Sequence, residues 1–469
     1  MVLQEPSVFD TRTLTEIYEE IRQVYLSDNR PWIIGYSGGK DSTTALQLIW
    51  YALAELPPQK RNKQVYVIAS DTLVETPVIV DYIDSTLRKI TSVAPTQAMP
   101  FSAAKVHPAV TETFWVNLIG RGYPAPQQQF RWCTNRMKIR PADRFIKEKV
   151  SEHGEVIVVL GVRKSESMTR AQVMSLHQIK GSLLSRHTRF SGAFVYTPIR
   201  DFNLDDVWSY LLQAPSPWGG TNRDLVALYR TANSGECPLV VDDTTPSCGN
   251  SRFGCWVCTV VSQDKTMEAL IDAGEEWMEP LLEIRNLLAS TQNPTVKPLY
   301  REYKRRAGTV SFNRNHDGRI VPGPYKLGFC KEVLKKLLQA QLEVRKHGPD
   351  PDVQLISPEE LEEIRRIWRT ERGDWEDSVP GIYRDTVQTD LPWIRDDIGP
   401  FGPVELALLR RISSGRQIPP MLLIKLISAE LSAQGMSRRS SIYSSIEKIL
   451  REEWRSEEEI VRQVTAVQG

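Results

Sequence analysis

The sequence predicts an α/β fold: a parallel sheet with helices on both faces, followed by a cysteine-rich segment and a mainly helical C-terminal extension. Three observations predict it. Short apolar runs, "WIIGY" (32–36), "QVYVIASDT" (64–72) and "EVIVVLGVR" (155–163), alternate with amphipathic stretches, the pattern of strands buried between helices. The run "YSGGKDS" (36–42) joins the first strand to a helix through a glycine turn. Pro, Gly, Ser and Cys then dominate 213–261, and helical patterns resume at 264–307 and 328–347.

The elements follow in order. Leu14, Ile17, Tyr18, Ile21 and Tyr25 fall at helical spacing and place a helix over 12–27. "STTALQLIWYALAEL" (42–56) is a helix closed by Pro57 and Pro58, and "TPVIVDYIDSTLRKI" (76–90) is a third. "NLDDVWSYLL" (203–212) opens with polar residues suited to a helix start, and Pro403 to about Ala466 is helical in pattern. The chain therefore divides into a helical lead (1–29), an α/β domain (30–232), a cysteine-rich segment (233–262), a basic helical region (263–348) and a helical extension (349–469).

At 469 residues, 41% hydrophobic and 25% charged, with a net charge of +1, the composition is that of a globular chain without a global basic excess. The neutrality hides an asymmetry. Residues 301–350 carry twelve Lys/Arg and five Asp/Glu, net +7, and residues 351–400 carry six and thirteen, net −7. The basic stretch is a place for nucleic-acid phosphates, or a face paired to the acidic stretch. No run approaches the ~18 apolar residues of a membrane span. The N-terminus lacks a signal-peptide pattern, so the cytoplasm is expected.

The strand–turn–helix at 36–42 suits an anion. Gly38 and Gly39 let the backbone approach an oxyanion, and the helix N-terminus offers N–H groups and a positive dipole end. Lys40 adds a full charge, and Ser37 and Ser42 add hydroxyls. The loop departs from the common G-x-x-x-x-G-K-[ST] pattern, because Asp41 follows the lysine.

Four of the six cysteines form C-x10-C-x6-C-x2-C: Cys237, Cys248, Cys255 and Cys258. Such clustering in a large chain suits zinc or an iron–sulfur cluster, and the uneven spacing favours the cluster. Cys133 stands apart among Arg131, Arg136, Lys138 and Arg140, which are expected to lower its pKa and favour a nucleophilic thiolate. Cys330 reads as a packed helix residue.

"SGGKDS" resembles the loop of the PP-loop ATP pyrophosphatase superfamily, whose members cleave ATP between the α and β phosphates. With "ASDTLVETP" (69–77), "RWCTNRMKIRP" (131–141), "LGVRKSES" (160–167) and "YTPIRDFNLDDVWSYL" (196–211), residues 30–260 resemble phosphoadenylyl sulfate reductase-like sequences. Several members fit less well. The 139 residues after Cys330 hold no late cysteine, there is no vicinal Cys-Cys pair, and only one C-x2-C is present. The loop, the "RWCT" cysteine, the late four-cysteine segment and the length together resemble the DndC family of DNA phosphorothioation proteins.

That resemblance implies an ATP-dependent sulfurtransferase acting on DNA. ATP activates a backbone phosphate oxygen, which sulfur replaces. It implies ATP and Mg2+ at Ser37, Gly38, Gly39, Lys40, Asp41 and Ser42, with Asp71 and Arg163 near the nucleotide or metal. Lys40, Asp41 and Cys133 would be catalytic, Cys133 as the sulfur carrier. Cys237, Cys248, Cys255 and Cys258 would hold a [4Fe-4S] cluster. Implied partners are DNA, a cysteine desulfurase as sulfur donor, and DndD- and DndE-like proteins. A phosphoadenylyl or adenylyl sulfate reductase-like enzyme and a tRNA-thiolating PP-loop enzyme are the alternatives.

Overall fold

A computed structural model describes residues 6–166, 172, 175–232, 254–313, 319–394, 402–414, 416, 418–434 and 440–468. The chain folds as two compact units. One comprises Met1–Ala109 and Gln128–Glu276, the other Val110–Gln127 and Trp277–Gly469.

The first unit is built on a six-stranded sheet of order β3-β2-β1-β4-β6-β5. Its strands are β1 (Trp32–Gly35), β2 (Val65–Ser70), β3 (Phe101–Val106), β4 (Val156–Val159), β5 (Ser185–Arg186) and β6 (Ala193–Tyr196). All neighbours pair in parallel except β5, which runs antiparallel to β6. The near-continuous apolar runs follow from that topology, since a parallel sheet is covered on both faces. Trp32, Ile33, Ile34 and Val159 have no exposed surface.

Side chains alternate across the sheet. Trp32 and Ile34 join the larger core with residues of α1 (Leu14–Leu26), α2 (Lys40–Ala54) and α3 (Pro77–Thr96). Ile33, between them, packs on the opposite face with Ile146 of α4 (Arg140–His153), Val156 and Val158. The α2 helix is apolar nearly all round, from Ala45 to Leu53, and lies in the core. Buried Gln47 donates to Asn222 at 2.7 Å, and Asn222 donates to the Leu211 carbonyl at 2.9 Å. This polar bridge ties α2 to helices Leu204–Gln213 and Arg223–Ala232.

The second unit is helical. Helices Glu279–Ser290, Leu327–His347, Pro358–Glu371 and Ser378–Val387 form its larger part, and Pro403–Ser414, Pro420–Ser432, Ser440–Leu450 and Glu457–Gln468 follow. Residues 110–127 leave the first unit between β3 and α4, and 113–120 are buried here. Phe114, Trp115, Val116, Leu118 and Ile119 are at most 1% exposed, and the indole of Trp368 donates to the Ile119 carbonyl at 2.9 Å. Cys330 is fully buried in its helix, as its sequence context indicated.

The expected helix at 264–307 is instead three pieces: Lys265–Asp272, Glu279–Ser290 and the single turn Lys297–Tyr300. Gly274, at φ +111°, turns the chain after the first, and Pro280 and Pro298 each open the next. The basic stretch is partly paired with the acidic one: Lys331 meets Asp374 at 2.9 Å and Arg306 meets Glu371 at 3.7 Å. Among the described residues no helix is long and apolar enough to cross a membrane.

Candidate functional site: phosphate loop and cysteine turn

The chain passes from β1 outward to β2 and β3, then returns to β4 on the other side of β1. The carboxyl ends of β1 and β4 thus border the point where strand order reverses, which is where open α/β sheets bind ligands. Both edges of that crevice carry residues the sequence singled out.

Ser37 to Ser42 form the loop after β1. Gly38 has φ +73°, and a Cβ there would lie 2.8 Å from Ile83, so only glycine fits. Gly39 begins α2 without any side-chain cap, leaving the helix N-terminus to another partner. Ser42 ties the loop together: its hydroxyl accepts the Ser37 N–H at 3.2 Å and donates to the Gly39 carbonyl at 2.9 Å.

Across the crevice, the loop after β4 supplies Gly161 and Arg163. Arg163 is 5% exposed, and its Nε donates to Asp41 Oδ1 at 2.6 Å. Asp41 also pairs with Lys40 at 3.3 Å, so its carboxylate orients both cations of the site. That gives the unusual Lys-Asp order a physical role. Gly161 packs directly on the loop, since a Cβ there would sit 2.6 Å from the Asp41 carbonyl oxygen. Gly161→Ala is therefore expected to push the loop out of register and lower ATP turnover at least tenfold. The destabilisation should stay within the ~1–3 kcal/mol of an overpacked site. Steady-state pyrophosphate release and a thermal melt check this.

Sequence reasoning missed Tyr229, on helix Arg223–Ala232. Its hydroxyl accepts the Lys40 N–H at 3.2 Å, and its ring lies 5.3 Å from the Lys40 ammonium. Burial pushes the phenol's pKa up despite the pull of that ammonium. Nothing local marks Tyr229; only the Gln47–Asn222 bridge shows why its helix docks there.

Asp71 caps the end of β2. One oxygen accepts the Leu73 N–H at 2.8 Å and the other meets Lys105 at 2.9 Å, so both already have partners. Leu73 takes a left-handed φ of 63°, turning the chain back over the strand end. Cys255 docks on that turn. Trp256 N–H donates to the Val74 carbonyl at 3.0 Å, Thr76 N–H to the Gly254 carbonyl at 3.2 Å, and the Thr72 hydroxyl lies 3.3 Å from Cys255 Sγ. Cys258 N–H closes the turn on the Cys255 carbonyl at 3.0 Å.

The cysteine turn neighbours Glu75, Lys138 and Cys133. Glu75 takes the Thr72 hydroxyl at 3.0 Å and the Lys138 ammonium at 3.1 Å. Partial burial disfavours the charge on Lys138, but the Glu75 carboxylate beside it helps hold its pKa above the ordinary range. Burial, with Glu75 nearby, raises Cys255. Cys133 is shifted the opposite way from expectation. Burial pushes its thiol up, and the neighbouring Cys258 adds to the shift. Its basic neighbours are engaged elsewhere: Lys138 with Glu75, and Arg140 with the Asn135 carbonyl side chain at 3.0 Å.

Cys133, Cys255 and Cys258 are free thiols, and Cys237 and Cys248 lie outside the described residues. Among the described residues no three His, Cys, Asp or Glu side chains converge as a metal site. Two soft donors separated by two residues suit one edge of an iron–sulfur cluster or a zinc site, and the remaining ligands would have to come from Cys237 and Cys248.

Residues 31–261 match the phosphoadenosine phosphosulfate reductase domain. The match takes in the phosphate loop, the "RWCT" segment, Arg163 and the cysteine turn. It supports the PP-loop superfamily and its reductase-like branch, an enzyme class that uses nucleotides. An uncharacterized protein of Methanocaldococcus jannaschii is 27% identical over 198 residues, 42% of this chain and 35% of its own. The chain thus spans about a third of the length of that curated relative. Among solved structures, phosphoadenylyl-sulfate reductase from Candida auris is 18% identical, with TM-score 0.28, covering 44% of this chain and 80% of its own. The U34-tRNA thiolase NcsA from Methanococcus maripaludis, solved with its [4Fe-4S] cluster, is 12% identical, with TM-score 0.26, covering 61% and 80%.

Proposed function

We propose that this chain is an ATP-dependent sulfurtransferase of DNA phosphorothioation, working in the cytoplasm. The observation that carries the reading is the docking of the Cys255 turn on the strand-end loop after β2, one strand from the phosphate loop after β1. In this reading a site for polyphosphate and a site for soft sulfur chemistry lie at the carboxyl ends of neighbouring strands of one sheet. The DndC resemblance extends this to DNA.

The loop does the electrostatic part. Backbone N–H groups at the start of α2, the Ser37 and Ser42 hydroxyls and Lys40 hold the departing pyrophosphate, and Asp41 and Arg163 fix the angle of approach. Mg2+ would screen the polyphosphate and be held chiefly by its oxygens, since the carboxylates of Asp41 and Asp71 are already in ion pairs. A non-bridging oxygen of the DNA phosphate attacks the α-phosphorus, and pyrophosphate leaves. The terminal sulfur of a Cys133 persulfide, loaded by a cysteine desulfurase, then attacks the DNA phosphorus, and AMP leaves with the oxygen. Two external thiols then reduce the remaining S–S bond, the first freeing the phosphorothioate and the second freeing Cys133, and they leave as a disulfide carrying the oxidation. Cys255 and Cys258, with Cys237 and Cys248, would hold an iron–sulfur cluster supplying redox or structural support. DndD- and DndE-like proteins would complete the assembly.

Cys133→Ser tests the route. It removes the soft nucleophile and keeps the size. ATP binding should persist, while phosphorothioate dinucleotides in nuclease digests of cellular DNA, read by mass spectrometry, should fall below detection. Undiminished dinucleotides would remove Cys133 from the path. The domain match favours one other reading, a sulfonucleotide reductase. Thioredoxin-dependent sulfite release from phosphoadenylyl sulfate, with no DNA product, would establish that reading instead.

A further inference from the structure

The net +7 stretch in the second unit contains a basic turn, Tyr303-Lys304-Arg305-Arg306, with Arg305 and Arg306 exposed. Far along the chain, residues 452–459 read Glu-Glu-Trp-Arg-Ser-Glu-Glu-Glu. The structure brings the two together at several separate points. The Glu453 N–H donates to the Gly308 carbonyl at 2.9 Å, and the Tyr303 hydroxyl donates to the Arg455 carbonyl at 2.8 Å. The Lys304 ammonium lies over the Trp454 ring, 4.6 Å from its centre. Gly308, at φ +77°, lies directly against the Glu452 side chain, where a Cβ would collide with the carboxylate. The Glu452 carboxylate also pairs with Lys425.

The charges match this arrangement. Glu452 and Glu453 act on Lys304, and Glu453, Glu457 and Glu459 act on Tyr303. An aromatic ring under a lysine and a row of carboxylates beside a basic turn offer what a nucleic acid offers such a turn: a flat π surface and regularly spaced negative charge.

We propose that the basic turn at 303–306 is a contact surface for the DNA phosphate backbone and that the acidic stretch Glu452–Glu459 occupies it as an intramolecular competitor. DNA must displace that stretch to engage Lys304, which the Trp454 ring covers, while Arg305 and Arg306 stand exposed beside it. The inference rests on the DNA reading above and adds to it a surface and a restraint. A competitor of this kind weakens binding to any stray polyanion, because the incoming phosphates must uncover the Lys304 ammonium from the Trp454 ring and approach the Glu452 and Glu453 charges beside it. It leaves a long duplex able to win by engaging many cations at once.

The test uses the full chain and a fluorescently labelled DNA duplex, with affinity read by anisotropy across a salt series. Two variants are compared with the wild type. Glu453→Gln/Glu457→Gln/Glu459→Gln removes three charges while keeping side-chain length, and glutamine can serve the capping role that Glu459 plays toward Ser456. Arg305→Ala/Arg306→Ala removes the two exposed cations. The glutamine variant should bind about threefold or more tighter, since exposed pairs are individually weak. The alanine variant should bind more weakly, with its log–log salt slope reduced by ~1 for each DNA phosphate left without its arginine. Unchanged affinity in the glutamine variant, with weakened binding in the alanine variant, overturns the competition. Unchanged affinity in both, with the wild type binding DNA, overturns the surface and leaves the DNA reading standing. No binding by any of the three overturns the DNA reading and this inference with it.

Discussion

Lys40→Ala should abolish ATP turnover while the fold survives. The ammonium is held at the crevice by Asp41 at 3.3 Å and by the Tyr229 ring, and the side chain is not one of the buried core residues. Removing a preorganised electrostatic group of this kind costs ~2.7–4 kcal/mol in the transition state, about 10²–10³ in rate. Loss of the charge also leaves Asp41 paired with Arg163 alone. Pyrophosphate release under saturating ATP is the measurement, with circular dichroism to show an intact sheet. The product decides the class as well. Pyrophosphate and AMP fit a PP-loop enzyme, whereas ADP and orthophosphate as main products would remove the chain from it.

Cys255→Ser should remove the colour and iron of an anaerobic preparation. Cys255 is fixed by backbone pairing on both sides, from Gly254 to Thr76 and from Trp256 to Val74. Its position in the turn is thus fixed by the backbone on both sides, and a ligand so held cannot be replaced by a shift of the turn. A hard hydroxyl is a poor partner for an iron–sulfur site. Visible absorption, with iron and sulfide analysis of wild type and variant, checks this. Stoichiometric zinc without iron in the wild type would assign the cysteines to a zinc site.

What could be read from the sequence was local. The loop at 37–42 lies on consecutive residues, and the helix it opens begins at Lys40, two residues before the helical pattern was placed. Strands β1, β2 and β4 announce themselves as continuous apolar runs because both sheet faces are covered. Strand β3 does not. Phe101–Val106 is an edge strand buried only at its two ends, with small or polar residues between, so neither a run nor an alternation marks it. Tyr229, Gly161 and Glu75 reach the site through tertiary packing that no spacing encodes. Cys133 carried a misleading signal: it has four basic neighbours in sequence, but desolvation of its half-buried side chain prevails and raises the thiol's pKa.

Residues 110–127 have a practical consequence for dissecting the chain. They are spliced into the first unit's sequence but belong to the second, so the polypeptide passes between the units at 109/110, 127/128 and 276/277. A protein cut after residue 276 keeps every strand of the sheet and the cysteine turn. It also keeps Phe114, Trp115, Val116, Leu118 and Ile119, now without the helices that cover them. Such a fragment should aggregate even though its nucleotide fold is complete. During synthesis the same apolar stretch emerges long before helices Leu327–His347 and Pro358–Glu371 that bury it, so the nascent chain carries a sticky interval that only its own C-terminal half can close.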